Sequence, residues 1–447
     1  MSKFDEIMTG SQTKTAPQSP LSNRGYEGNT HLRIIRSTTI PGSLNDFCGG
    51  MLKELSEKYE VVAVSAPGPA LIELAEKEGV RTIAVPMERH ISLWRDCVSL
   101  WRMVSVFMQE RPTMVHSMTP KAGMICMVAA WLTRVPVRVH TFTGLVWPTS
   151  TGLKRRILMF TDWLTCACAT HIIPEGEGVK NDLINGGITK KPLRVLGHGS
   201  CKGIDLEYFQ VNEKLKEKRE KYKLPNTFTF LFVGRITGDK GINELVEAFV
   251  RLHRDCPRTR LLIVGHFEED LDPVKLSTKA LIEHVDNGIE AVGEKFGDDL
   301  LACYATADCF VLPSYREGFP NTVLEAGAMG LPCIVTDING SREIISLTPD
   351  PSPMGEGNLA GEGSKGEGSL NGMGVQMRSN GIVVPPQSSD ALYEAMKLMV
   401  DDKAMRESMA AKARPMIAER FDMHYVRQCL YEFYEEVLGE EKVKREK

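Results

Sequence analysis

The chain has 447 residues, of which 42% are hydrophobic and 25% charged, with a formal net charge of −4 at pH 7. That length and apolar content fit two or three domains with full cores, and the charge balance points to neither a nucleic-acid binder nor a disordered chain. The 11 cysteines are scattered without metal-ligand spacing, so the expectation is reduced thiols in a cytoplasmic protein, with no metal and no cofactor.

Residues 1–30 are polar and rich in Ser, Thr, Pro and Gly, which predicts a flexible tail. They contain no apolar core of signal-peptide length, which argues against secretion. From Leu32 onward, β-branched runs alternate with helical patterns. LRIIR, EVVAVSA, RTIAVP, TMVHS and VRVHT read as buried strands, with helices at Ser92–Glu110 and Lys121–Thr133 between the later ones. Such alternation predicts a parallel sheet covered on both faces. The stretch from Val85 to Phe160 carries ten Lys or Arg against three Asp or Glu. It fits phosphates, an anionic membrane surface or a plain solvated face. The apolar stretches near Ala122–Leu132 and Ile157–Ala169 are shorter than a membrane span.

A second α/β series follows, with TFTFLFVG, RLLIVG, IEAVG, CFVLPS, CIVTD and GIVVPP as strands. After Gly241, the residues Ile242, Leu245, Val246 and Phe249 share one helix face. Two such halves imply two domains, 31–196 and 197–423, with a last segment, 424–447, as a helix. Ligands of open parallel sheets bind beyond the carboxyl ends of the strands, so two facing sheets would share one cleft. Residues 348–379, with three Gly-Glu-Gly repeats, read as a low-complexity insertion away from that cleft.

The most specific segment is PSYREGFPNTVLEAGAMGLP, from Pro313 to Pro332. Glu317 falls in a loop and Glu325 one turn into a helix that opens near Asn321 or Thr322. The amides of Gly318, Phe319, Asn321 and Thr322, around Pro320, would point into the cleft. A helix start binds anions because its first N–H groups lack internal partners and its dipole favours negative charge. A second segment, FVGRITGDKGINEL, ends a strand at Val233 and continues through Gly234 and Arg235 to Lys240. A guanidinium and an ammonium at a strand's carboxyl end suit a diphosphate. No Walker A loop is present, and no G-x-G-x-x-G fingerprint follows the first strand.

Together these segments resemble the E-x7-E signature of the retaining glycosyltransferases of family 4. The resemblance implies the GT-B fold, two Rossmann-like parallel-sheet domains facing across a cleft. It implies a nucleotide-sugar donor, with Glu317 on the donor sugar, Glu325 on the ribose, and Arg235 and Lys240 on the phosphates. Gly234, Gly318, Phe319, Pro320, Asn321 and Thr322 complete the donor side. HSMTPKAGM (His116–Met124) and GHGSCKGID (Gly197–Asp205) are similar to the CapM/PglA-like subgroup. That subgroup implies a polyprenyl-diphosphate-linked sugar acceptor, with peripheral contact at the cytoplasmic face of the membrane. The acceptor-side expectations are His116, Thr119, Lys121, Thr143 and Gly144. The Gly-rich segment Pro41–Gly50 is expected as a loop near the donor phosphates.

The sequence departs from the family at one place. Many members carry a His after the strand equivalent to VRVHTFTGL; this chain has Thr143 there, and His140 lies three residues earlier. The reaction implied is retaining transfer of a hexosyl or N-acetylhexosaminyl group without a metal. The competing readings are a nucleotide-sugar epimerase on the same fold and a catalytically silent scaffold. The membrane reading rests on Lys154, Arg155 and Arg156, near Trp147 and Trp163.

Overall fold

Six short strands open the described chain: β1 (Arg33–Ser37), β2 (Glu60–Ser65), β3 (Arg81–Ala84), β4 (Met114–Met118), β5 (Val137–Phe142) and β6 (His171–Pro174). The computed structural model describes residues 32–446, except 89–91, 223, 270–271, 346–368 and 371–372. The expected amino-terminal tail and most of the Gly-Glu-rich insertion lie outside the described residues. The six strands form one parallel sheet in the order β3-β2-β1-β4-β5-β6. Ile34 and Ile35 of β1 register with Val61 and Val62 of β2 on one side and with Met114 and Val115 of β4 on the other. These strands are almost continuously buried, which is why they read as apolar runs rather than alternating ones. β6 escaped the sequence reading because Ile172 and Ile173, between a histidine and a proline, are its only apolar β-branched pair.

Helix Pro120–Leu132 is apolar all round. Its position explains this: it packs between helices Leu93–Glu110 and Gly152–Cys168, so most of its circumference is covered. Pro41–Cys48 is a helix rather than the expected loop. Pro41 sits in its first turn, where a missing N–H costs nothing, and Pro41, Leu44 and Cys48 are buried at helical spacing.

The second sheet contains β7 (Phe228–Val233), β8 (Thr259–Val264), β9 (Ile289–Ala291), β10 (Cys309–Leu312), β11 (Cys333–Thr336), β12 (Ser369–Leu370), β13 (Val375–Met377) and β14 (Gly381–Val384). Its order is β12-β13-β14-β11-β10-β7-β8-β9. β13 lies inside the stretch read as an insertion and pairs antiparallel with β14, Gln376 opposite Val383. On helix Ile242–Asp255, Ile242, Leu245, Val246 and Phe249 all face the core.

The chain then returns to the first domain. Helix Met423–Glu446 follows a break at Asp422, and its Leu430, Phe433, Tyr434, Val437 and Leu438 are buried with Ile34, Val137 and Val139 of the first sheet. Burying a side chain of this size stabilises by about 2 kcal/mol, so this stripe fastens the two domains to each other.

Candidate active site

In the second sheet, strand order places β7 beside β10, while the chain runs outward from β7 to β8 and from β10 to β11. This is a topological switch point, where the loops leaving two neighbouring strands diverge and open a crevice. The loop after β7 holds Gly234, Arg235 and Lys240; the loop after β10 holds Ser314 and Glu317. Segments 77 residues apart therefore meet. Lys240 Nζ donates to Glu317 Oε1 at 2.5 Å, and Ser314 Oγ donates to the same oxygen at 2.7 Å. The Tyr315 amide donates to the Asp239 carbonyl at 2.8 Å, stitching the loops together.

Gly241 makes this approach possible. Its φ is +70°, and a Cβ there would lie 2.1 Å from the Pro313 carbonyl oxygen. The loops hold further ion pairs. Arg235 pairs with Glu268 at 2.9 Å and Arg316 with Asp239 at 2.8 Å. Burial pushes the Asp239 carboxyl up, but the Thr237 hydroxyl and the Arg316, Lys240 and Arg235 cations outweigh it and hold it below the usual range.

Helix Asn321–Ala328 starts directly after Pro320, and no side chain caps it. Its first amides are therefore available to an anion. Asn321 Oδ1 is buried without a hydrogen-bond partner. Thr322 lies half-buried in the first turn. Phe319 is buried against Phe421, ring centroids 5.3 Å apart. Glu325 accepts from the buried phenol of Tyr304 at 2.7 Å. Burial raises its pKa, partly offset by Tyr304 and the Lys202 ammonium.

The first domain meets this cluster through backbone. A Cβ on Gly318 would lie 2.2 Å from the Thr143 carbonyl oxygen, and one on Gly144 would lie 3.1 Å from Gly318 Cα. Thr143 and Gly144 thus sit directly against the Glu317–Gly318 turn. Beside them opens a crevice of about 220 Å³, lined by residues that include Leu145, Thr149, Tyr315, Arg316, Glu317, Asn339 and Arg342.

The other acceptor-side residues are held elsewhere. His116 is buried; Arg36 and the Tyr434 phenol meet its Nδ1, and the Thr141 hydroxyl its Nε2 at 2.7 Å. Burial and the Arg36 charge drive its pKa well below the ordinary value, so the ring is neutral. Thr119, at φ +69°, precedes helix Pro120–Leu132 and bonds Thr39 at 2.8 Å. Lys121 pairs with Asp96 at 2.7 Å. His140, bonded to Ser117, is held near a pKa of about 3 by burial. Its Cε1 lies 2.4 Å from where a Gly123 Cβ would be.

Ser314, Tyr304 and Glu268 were not singled out from sequence. Ser314 lies within the motif itself, three residues before Glu317, where its reach was legible. Tyr304 and Glu268 carried no signal, because only the fold sets them beside Glu325 and Arg235.

Two more contacts couple the domains. Glu343 accepts from the amides of Glu177 at 2.7 Å and Gly178 at 3.0 Å, the first turn of helix Glu177–Asn185. Glu175 is buried beneath, accepting from the Cys201 amide at 3.3 Å. Burial first, then the Glu343 and Glu317 charges, push its pKa up to about 7 against the bonds from Cys201.

Two parallel-sheet Rossmann-like domains closing on a cation- and carboxylate-bearing cleft define a GT-B glycosyltransferase. Comparison with known proteins agrees. The Glycosyl transferase 4-like domain family matches residues 45–199, and the Glycosyl transferases group 1 family matches residues 214–348. The chain is 30% identical to the capsular polysaccharide biosynthesis glycosyltransferase CapM of Staphylococcus aureus, over 91% of this chain and 98% of that protein. It is 22% identical to the N,N'-diacetylbacillosaminyl-diphospho-undecaprenol alpha-1,3-N-acetylgalactosaminyltransferase of Campylobacter jejuni, over 91% of this chain and 99% of that one. Among solved structures, Anabaena Alr3699/HepE in complex with UDP superposes with a TM-score of 0.69 at 16% identity, covering 91% of this chain and all of that one. The chain belongs to the same glycosyltransferase family as CapM, built from a glycosyl transferase 4-like and a group 1 domain.

Proposed function

We propose that the protein transfers a hexosyl or N-acetylhexosaminyl group, with retention of anomeric configuration, from a nucleoside-diphosphate donor to a polyprenyl-diphosphate-linked acceptor at the cytoplasmic face of the membrane. The contact between Lys240 and Glu317 carries this reading: a cation for a leaving phosphate and a carboxylate for sugar hydroxyls share one switch-point crevice. The name of the C. jejuni relative describes a diphospho-undecaprenol-linked acceptor, and HepE holds UDP on the same fold, which supports both partners.

In this mechanism the bond from the anomeric carbon to the diphosphate oxygen loosens first. Negative charge gathers on the departing phosphate, where Arg235, Lys240 and the amides opening helix Asn321–Ala328 stabilise it. The acceptor hydroxyl attacks from the same face, and its proton passes to the departing phosphate oxygen. Glu317 holds the sugar and Glu325 the ribose. Thr143 and Gly144, against Gly318, border the reacting carbon. Arg235 and Lys240 provide the positive charge, so turnover should persist without added divalent metal.

The test is a thermal-shift screen of the purified protein against UDP, GDP, ADP and TDP, with and without magnesium, followed by donor turnover. One nucleotide should stabilise the protein irrespective of magnesium, and the shift should vanish in Arg235→Ala. Donor turnover should vanish in Glu317→Ala, and the product should keep the donor's anomeric configuration by NMR. A well-folded protein that no nucleotide stabilises would count against a donor site and favour a silent scaffold.

A further inference from the structure

Strand order in the second sheet gives the proposed donor a direction. Arg235 and Lys240 follow β7, and Glu317 follows its neighbour β10. With the diphosphate on the first loop and the sugar on the second, the donor runs along the carboxyl edge from β7 towards β10. The next strand in that direction is β11. Neighbouring strands lie about 4.8 Å apart, the scale of one sugar ring, so the segment after β11 stands where the group beyond the donor sugar lies.

That segment lines the crevice beside Glu317. Arg316, from the turn after β10, and Asn339 and Arg342, from after β11, form one wall; Leu145, Pro148 and Thr149 of the first domain form the other. Trp147, expected at a membrane surface, is buried instead, with Arg155 5.4 Å above its ring. A Cβ on Gly186 would lie 2.6 Å from the indole, so Trp147 pins the turn Trp147–Thr149 against the end of helix Glu177–Asn185. At about 220 Å³ the crevice is smaller than the roughly 300 Å³ at which pockets for whole small molecules begin. It takes one part of a longer ligand.

The side chains in it favour an anion. A guanidinium carries five N–H donors in one plane. Among the described residues, the Arg316 side chain gives one hydrogen bond, to Asp239. That of Arg342 meets only Asp337, its carbonyl at 3.0 Å and its carboxylate at 3.3 Å. Most of their donors are left for a ligand, and both side chains are partly open to water, 36% and 48% exposed. The acids lining the crevice are engaged: Asn339 donates to Asp182 at 2.6 Å, and Lys240 neutralises Glu317.

We propose that Arg316 and Arg342 seat the diphosphate of the acceptor, one sugar ring away from its attacking hydroxyl. Planar guanidinium groups match phosphate oxygens two at a time. Fixing the diphosphate aims the hydroxyl at the sugar on Glu317. The assignment rests on the lipid-linked-acceptor reading, but the seat binds without donor or turnover, so the two fail separately.

Calorimetric titration of the full chain with geranyl diphosphate tests it, with geranyl monophosphate, geraniol and glucuronate as controls. Geranyl diphosphate should bind, the monophosphate more weakly, and geraniol and glucuronate should give no measurable heat. Arg342→Gln and Arg316→Gln should each weaken geranyl diphosphate roughly tenfold, the effect of one charge-assisted bond. Both should keep the wild-type circular dichroism, and Arg342→Gln, remote from the donor cations, should keep the nucleotide-induced thermal shift. Arg235→Ala should lose that shift and still bind geranyl diphosphate. Absence of binding to wild type, equal binding of geraniol or glucuronate, or unchanged affinity in either Gln variant overturns the proposal. So does loss of binding in Arg235→Ala, which would put the prenyl diphosphate on the donor cations.

Discussion

Lys240 and Glu317 neutralise each other across 2.5 Å in the cleft. Both are largely shielded from water, with side-chain exposures of 18% and 13%, so each depends on the other until a ligand intervenes. A diphosphate that takes the lysine also frees the carboxylate for sugar hydroxyls. One exchange therefore prepares both ends of the donor. Lys240→Ala should lower donor turnover roughly a hundredfold, about 3 kcal/mol of barrier. Because the two residues act as a unit, Lys240→Ala combined with Glu317→Gln should be little worse than the poorer single variant. Steady-state kinetics of the three variants checks this.

Gly241 and Gly79 have nearly the same backbone conformation, φ +70° and φ +67°, in different surroundings. A Cβ at Gly241 strikes the Pro313 carbonyl oxygen, whereas one at Gly79 meets nothing within 4 Å. Gly79→Ala should therefore cost only the left-handed penalty, about 1 kcal/mol. Gly241→Ala should cost roughly 3 kcal/mol, because backbone must also move, and it should pull Lys240 away from Glu317. Urea denaturation separates the two, and only Gly241→Ala should lose nucleotide binding.

Glu343 places a carboxylate from the second domain on the first turn of a helix in the first. It accepts two amide hydrogen bonds there and gains from the helix dipole. Glu343→Ala should cost about 1–2 kcal/mol. Since the bonds cross between domains, calorimetry should show a less cooperative transition, not a uniform shift.

Glu175 supplies a pH test. Its pKa in the folded protein is about 7, against an ordinary value of 4.5. A raised carboxyl favours folding while protonated, so its contribution is full below pH 4.5 and is lost as pH rises through 7. Glu175→Gln should match wild type in acid and exceed it above neutrality, by on the order of 3 kcal/mol at most. Denaturation midpoints of both proteins between pH 5 and 8 should diverge in that direction; parallel curves would refute it.

Much of the protein was legible without coordinates. Parallel strands announce themselves as apolar runs because both of their faces are buried, as in FTFLFV of β7. Glu317 and Glu325 were legible because eight residues of local chain, a turn and one helical turn, set their relation. Arg235 and Lys240 were visible for the same reason, since a loop between a strand and a helix needs no distant partner to be recognised. Strands β6 and β13 were not. β6 offers only Ile172 and Ile173 as an apolar pair beside a proline, and β13 lies where composition speaks of a loop.

What only the tertiary structure decided was who meets whom. Strand order brought β7 beside β10, and so Lys240 to Glu317, across 77 residues that no local pattern spans. Packing likewise took His116 into a buried network with Arg36 and Tyr434, a partner 318 residues away. It also left Trp94 on helix Leu93–Glu110 and Leu153 on helix Gly152–Cys168 exposed. Helical spacing says that a stripe exists; which side of the helix the sheet covers is settled only when the core has been filled. Local chemistry is written along the chain, while charge pairing, burial and exposure depend on contacts between segments remote in it.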